Sequence, residues 1–151
     1  MIEIRVQAEA FDPNHEIDRL RSGNPVIGGI VSFIGLMRDL NQGEKISEMT
    51  LEYYPGMTEK ALLAIAQEAC RRWELLGCRV VHRVGQLQPM DVIVLVAVAS
   101  AHREEAFRAC EFIIDYLKTR APFWKKEITP RGARWVEARK SDDVAEKKWK
   151  N

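Results

Sequence analysis

At the start of the chain Ile2, Ile4, Val6 and Ala8 alternate with Glu3, Arg5 and Gln7, the period-two pattern of a half-buried strand. His15 to Gly23 reads as a short helix closed by glycine. Val26 to Gly35 is rich in β-formers but interrupted by Gly28 and Gly29, which mark a bulge or a close approach of backbone. Ile46 to Tyr54 reads as another strand, broken by Pro55-Gly56. From Thr58 to about Leu76 the residues Leu62, Ile65, Ala66, Ala69, Trp73 and Leu76 recur at spacings of three and four, which predicts a helix with one apolar face, stopped at Gly77.

Cys78 to Gly85 and Asp91 to Ser100 read as two strands joined through the turn at Pro89. The second is apolar on both faces, which places it at the centre of a sheet. Ala106, Cys110, Ile113 and Leu117, with Phe107 and Ile114 beside them, predict an amphipathic helix from Ala101 to about Thr119, ended by Pro122. A short strand is expected around Trp135 and Val136, and the last ~10 residues are a candidate flexible tail. Strands and two main helices without regular βαβ alternation predict one α+β domain over residues 1–151, with a mixed or antiparallel sheet.

Composition narrows the function. With 46% hydrophobic and 30% charged residues and no long apolar run, the chain reads as a globular domain rather than a disordered or membrane-spanning one. A net charge of +1 lacks the global positive field of a dedicated nucleic-acid binder. Cys70, Cys78 and Cys110 form no CxxC pair, so neither a disulfide framework nor a thiolate zinc site is indicated, and a reducing cytoplasm suits them. The charged start, with Glu3, Arg5 and Glu9, does not fit a secretory signal. Phosphate-loop, dinucleotide-fingerprint, zincin and nucleophile-elbow motifs are absent from the sequence. His15, His82 and His102 have no metal-ligand spacing, so no metal site is expected.

The informative feature is a local excess of charge. From His102 to Arg139 nine cations stand against six acids, interleaved with Phe123, Trp124 and Trp135, which fits a pocket for a flat anionic ligand. Ser100-Ala101-His102-Arg103 lies where strand gives way to helix, and helix N-termini bind anions with help from Arg and His; the plainer reading is a cap with solvated neighbours. Lys118, near the end of that helix and followed across Pro122 by Trp124-Lys125-Lys126, could be a base or nucleophile among like charges, or merely a cation favoured at a helix C-terminus. Arg38 is a third anion ligand or a loop cation. The same cluster would also serve a non-catalytic binding module for phosphorylated ligands or a short RNA.

Five stretches, SFIGLMRD (Ser32 to Asp39), LEYYPGMTEKAL (Leu51 to Leu62), HRVGQLQPMD (His82 to Asp91), SAHREEAF (Ser100 to Phe107) and DYLKTRAPFWKKE (Asp115 to Glu127), with RWVEA near the end, resemble in order and composition the large catalytic subunit of molybdopterin synthase. The resemblance implies an α/β-hammerhead fold and a cytoplasmic sulfurtransferase of molybdenum-cofactor biosynthesis. It implies a homodimer, each subunit binding a small ubiquitin-like carrier, to give a heterotetramer. Sulfur would pass from the carrier's C-terminal Gly-Gly thiocarboxylate to cyclic pyranopterin monophosphate, forming the dithiolene of molybdopterin. No metal or organic cofactor, nucleic acid or membrane is implied. Residue by residue, Lys118 and Lys125 match the catalytic lysines, Arg38 the phosphate arginine, and His102 and Arg103 the anion-binding pair. Leu36, Met37, Lys126, Glu127 and Arg139 match further substrate-binding positions, with Leu36 departing from the basic or small residue carried there by relatives.

The spacing adds a geometric expectation. A continuous helix separates His102 from Lys118 by about 24 Å. If both ends serve one small substrate, they must come from different subunits across a two-fold axis.

Overall fold

The computed structural model describes residues 1–136 and 140–150; Arg139, one of the expected site residues, lies outside them. The elements run β1 (Ile2–Gln7), α1 (Pro13–Arg21), β2 (Gly29–Leu36), β3 (Leu40–Asn41), β4 (Glu44–Lys45), β5 (Glu48–Tyr53), α2 (Met57–Arg72), β6 (Gly77–Arg83), β7 (Gly85–Leu87), β8 (Val92–Ser100), α3 (Arg103–Arg120), β9 (Phe123–Thr129), β10 (Gly132–Val136) and α4 (Lys140–Lys147). Two four-stranded sheets result, ordered β1-β6-β8-β2 and β10-β9-β5-β7, with β3 and β4 as a separate ribbon. Only β1 and β6 pair in parallel among these strands, so the class is α+β with mixed sheets, as expected.

The first sheet carries the main core. β8 lies between β6 and β2, and every residue from Val94 to Ser100 is buried, which explains why its sequence is apolar on both faces. Leu62, Ile65, Ala66 and Ala69 of α2 and Ala106, Phe112, Ile113 and Leu117 of α3 pack with Val80, Val94, Val96 and Val98. A smaller core of Met37, Ile46, Met49, Leu51, Val84 and Leu87 joins the second sheet to the first. Gly28 is a close approach rather than a bulge: a Cβ there would stand 2.0 Å from the Ala101 carbonyl oxygen. The loop before β2 is thereby pressed against the start of α3.

Several boundaries differ from expectation. α1 begins at Pro13 rather than His15, because Asp12 caps it by accepting from the Asn14 N–H at 2.9 Å and proline suits the first turn. α2 stops at Arg72 rather than near Leu76: Trp73 turns extended, and the Leu76 N–H donates to the Ala99 carbonyl at 2.7 Å, feeding the chain into the sheet. Between the strands expected to meet through Pro89, β7 departs to pair with β5 in the second sheet. α3 starts at Arg103, two residues late, and the expected strand at Trp135 and Val136 is β10.

Three features were not foreseen. The β3–β4 ribbon turns through Gln42 (φ 52°) and Gly43 (φ 80°), the left-handed pair of a tight hairpin. β9 was hidden because its inward positions are Phe123, Lys125, Glu127 and Thr129, so no apolar alternation marks it. The tail forms α4, and Trp149 beyond it reaches back to α3, donating its indole N–H to Asp115 at 2.7 Å and packing edge-on against Phe112.

Candidate functional site

A cleft of about 310 Å³ opens where the C-terminal end of α3, the inward face of β9 and the loop after β2 meet. Arg38, Lys118 and Lys125 all line it, with Leu36, Met37 and Glu127. Six of the ten expected site residues therefore surround one space.

Each is positioned by a local cause. After α3 ends, the chain reverses at Ala121-Pro122, where the Phe123 N–H donates to the Ala121 carbonyl at 2.9 Å and the buried Thr58 hydroxyl donates to the Pro122 carbonyl at 3.0 Å. β9 therefore returns alongside the helix end, and Lys118 and Lys125, seven residues apart, face the same cleft. Arg38 is set by its neighbour. Met37 is buried, its N–H donates to the Asp91 carbonyl at 2.9 Å, and its carbonyl accepts from the Met90 N–H at 2.8 Å, a backbone clamp that leaves the next side chain at the cleft mouth.

Glu127 is committed within the protein. Its carboxylate accepts from the Asn41 amide at 3.1 Å on each oxygen and from Arg134 at 3.2 Å, and Arg134 also donates to the Asn41 carbonyl at 3.3 Å. These bonds tie the β3–β4 ribbon to β9 as a wall of the cleft. Lys126 takes the other face of β9 and lies 5.8 Å from the Trp135 ring centre, outside the cleft lining.

His102 and Arg103 stand apart, exposed at the N-terminal end of α3. His102 makes no side-chain cap; the Ser100 hydroxyl accepts from the His102 N–H at 3.3 Å and donates to the Glu74 carbonyl at 3.0 Å. Within one chain the pair does not reach the cleft, as the length of α3 requires.

His82, which its sequence spacing showed only as a scattered histidine, also lines the cleft. It is buried and its ring stacks on Phe123 with centres 4.0 Å apart. Nδ1 lies 2.8 Å from the Arg83 carbonyl, which can only accept, so Nδ1 carries the proton. Burial pushes the ring down to about 4; the carbonyl opposes this and the Lys118 charge adds to it. The ring is therefore neutral near pH 7. The hint in sequence was its place opening HRVGQLQPMD, but nothing in the spacing showed which way a strand residue would face.

Cys70, Cys78 and Cys110 stand outside the cleft lining. Burial raises the pKa of Cys70 and pushes Cys78 and Cys110 up to about 12, the opposite of an activated thiolate. The cleft can hold an anion and move protons.

The profile of a family described as MoaE protein matches residues 6–120. The chain is similar to the molybdopterin synthase catalytic subunit of Ralstonia nicotianae, with 60% identity over 99% of this chain and 85% of that protein. It is also similar to the molybdopterin synthase catalytic subunit of Pseudomonas aeruginosa, with 56% identity over 97% of each. The solved molybdopterin biosynthesis MoaE protein from Burkholderia ambifaria superposes with a TM-score of 0.85 at 54% identity, covering 99% of this chain and 98% of that one.

Proposed function

The chain belongs to the MoaE protein family, the catalytic subunits of molybdopterin synthase and sulfur-transferring enzymes of molybdenum-cofactor biosynthesis, and from that premise we propose how its cleft performs the reaction. The substrate is cyclic pyranopterin monophosphate, and sulfur arrives as the C-terminal thiocarboxylate of a small ubiquitin-like carrier. The observation that carries this reading is the convergence of Arg38, Lys118 and Lys125, from three separate elements, on one cleft.

Arg38 holds the substrate phosphate by charge-assisted hydrogen bonds. Lys118 and Lys125 are the catalytic pair. Thiocarboxylate attack, opening of the cyclic phosphate and loss of water each need proton transfer and screening of developing negative charge, which ammonium groups provide. Leu36 and Met37 give an apolar margin, and Glu127 keeps the ribbon wall in place. The high thiol pKa values support delivery of sulfur by a partner, and a Gly-Gly tail can enter a narrow cleft in extended form. Among the described residues no helix is long and apolar enough to cross a membrane, and a cytoplasmic setting is part of the proposal.

The site is completed by a second copy of the chain. β2 is an edge strand that exposes Phe33, Ile34 and Leu36, and Phe107 is exposed near the start of α3; such apolar surface suits association. One end of β2 pairs with Ser100, beside His102, and the other runs out at Leu36, beside Arg38. A two-fold axis across the middle of β2 would exchange these ends and bring the partner subunit's His102 and Arg103 to this cleft. Carrier, homodimer and composite site together make a heterotetramer. The test is reconstitution with thiocarboxylated carrier and cyclic pyranopterin monophosphate, in which the dithiolene product is expected from the wild type and lost in Lys118→Ala.

A further inference from the structure

His82 sits at the end of β6, inside the cleft wall, where three observations meet. Its Nδ1–H is spent on the Arg83 carbonyl, which fixes the tautomer and leaves Nε2 as a lone-pair acceptor. Stacking on Phe123 holds the ring plane. Among the described residues, the one buried side-chain nitrogen or oxygen without a partner is Nε of Arg5, so Nε2 is not a stranded core atom. It belongs to the cleft, which His82 and Lys118 both line.

We propose that His82 is a positioning residue for Lys118: its Nε2 accepts a hydrogen bond from the Lys118 ammonium and fixes the direction in which that group meets the substrate. The inference rests on the function proposed above. A lysine carries a long flexible stem at a helix end, and catalysis requires one orientation of it. A carboxylate could orient it too, but would cancel the charge that faces the phosphate. A neutral imidazole orients without neutralising. The other charged groups around the cleft are Arg38 after β2 and Lys125 and Glu127 on β9, with Asp142 of α4 at its edge; Glu127 is already held by Asn41 and Arg134. The Lys118 charge acts on the ring directly, as one cause of its low proton affinity.

Two side-chain replacements separate the two ring nitrogens. His82→Asn can still donate to the Arg83 carbonyl from the Nδ1 position but loses Nε2, whereas His82→Gln reaches the Nε2 position. In the reconstituted reaction His82→Asn is expected to lower kcat by about tenfold to a hundredfold with KM within about twofold, and His82→Gln to recover part of the loss. Wild-type protein in the same assay reports on the functional reading itself, since its failure to form product would refute that reading and not this one. A readout free of activity is the 15N spectrum of the imidazole at pH 7, where Lys118→Met should move the Nε2 resonance downfield as its hydrogen bond is lost. Thermal melts show whether each variant folds, and the Lys118→Met spectrum decides the matter even if His82→Asn does not. An unchanged Nε2 resonance in Lys118→Met, or a folded His82→Asn with kcat within about twofold of wild type, would overturn the proposal.

Discussion

Two inactive proteins should restore activity when their subunits mix. α3 runs unbroken from Arg103 to Arg120, and the 16 residue steps from His102 to Lys118 span about 24 Å at 1.5 Å per residue. A compact cleft of about 310 Å³ is only about 8 Å across if taken as a sphere, about a third of that helical span. His102→Ala/Arg103→Ala protein and Lys118→Ala protein are each expected to be inactive, because every site in either homodimer carries one lesion. After full exchange of an equal mixture, half of the dimers are mixed, and each mixed dimer has one site with both lesions and one with none. Activity should therefore return to about a quarter of the wild-type value. The assay is product formation with carrier and substrate in excess, with exchange confirmed by mass tags on one variant. Confirmed mixed dimers that stay inactive, or a His102→Ala/Arg103→Ala homodimer that is active alone, would refute the shared site.

Lys125→Ala should also impair turnover while leaving carrier affinity intact, whereas Arg108→Ala, which loses an exposed pairing with Glu104, should not; equal losses would point to general electrostatics instead. Arg38→Ala should weaken substrate affinity by about 1.5–3 kcal/mol, roughly tenfold to a hundredfold, and inorganic phosphate should compete with substrate in the wild type; affinity unchanged within about twofold would remove Arg38 from the phosphate site. Stability should fall as pH drops from about 6.5 to about 4: there the unfolded chain takes a proton at His82 that the folded one refuses, an effect of about 3 kcal/mol that is complete below the folded value. Urea titrations across that window should show the slope in the wild type and a smaller one in His82→Gln; equal slopes would contradict it.

What the sequence revealed followed from what evolution left apolar. β8 reads as a central strand because Val94, Val96 and Val98 and the residues between them are all buried, and α3 reads as a helix because its buried residues fall on one face. The second sheet was harder. β9 turns Lys125 and Glu127 inward to build the cleft, which erases the alternation that would announce a strand. The concealment and the function have one cause. The lysines were legible within a cluster of cations broken by proline and aromatic residues, whereas Arg38 stands alone in a loop far from that cluster and only the resemblance of SFIGLMRD marked it. The clamp of Glu127 by Asn41 and Arg134 was not legible, because it joins residues 86 and seven positions apart in the chain through a ribbon only two residues wide on each side. His82 was hidden for another reason: a histidine in an apolar strand looks like filling until the fold shows that the cleft reaches it.

In the function proposed above, this cleft transfers sulfur with Lys118 at its heart. The direct measurement is incubation of the protein with thiocarboxylated carrier and cyclic pyranopterin monophosphate, followed by detection of the dithiolene product. Product is expected from the wild type and none from a folded Lys118→Ala protein that still binds the carrier. No product from the wild type with a competent carrier, or near-normal turnover by Lys118→Ala, would contradict it.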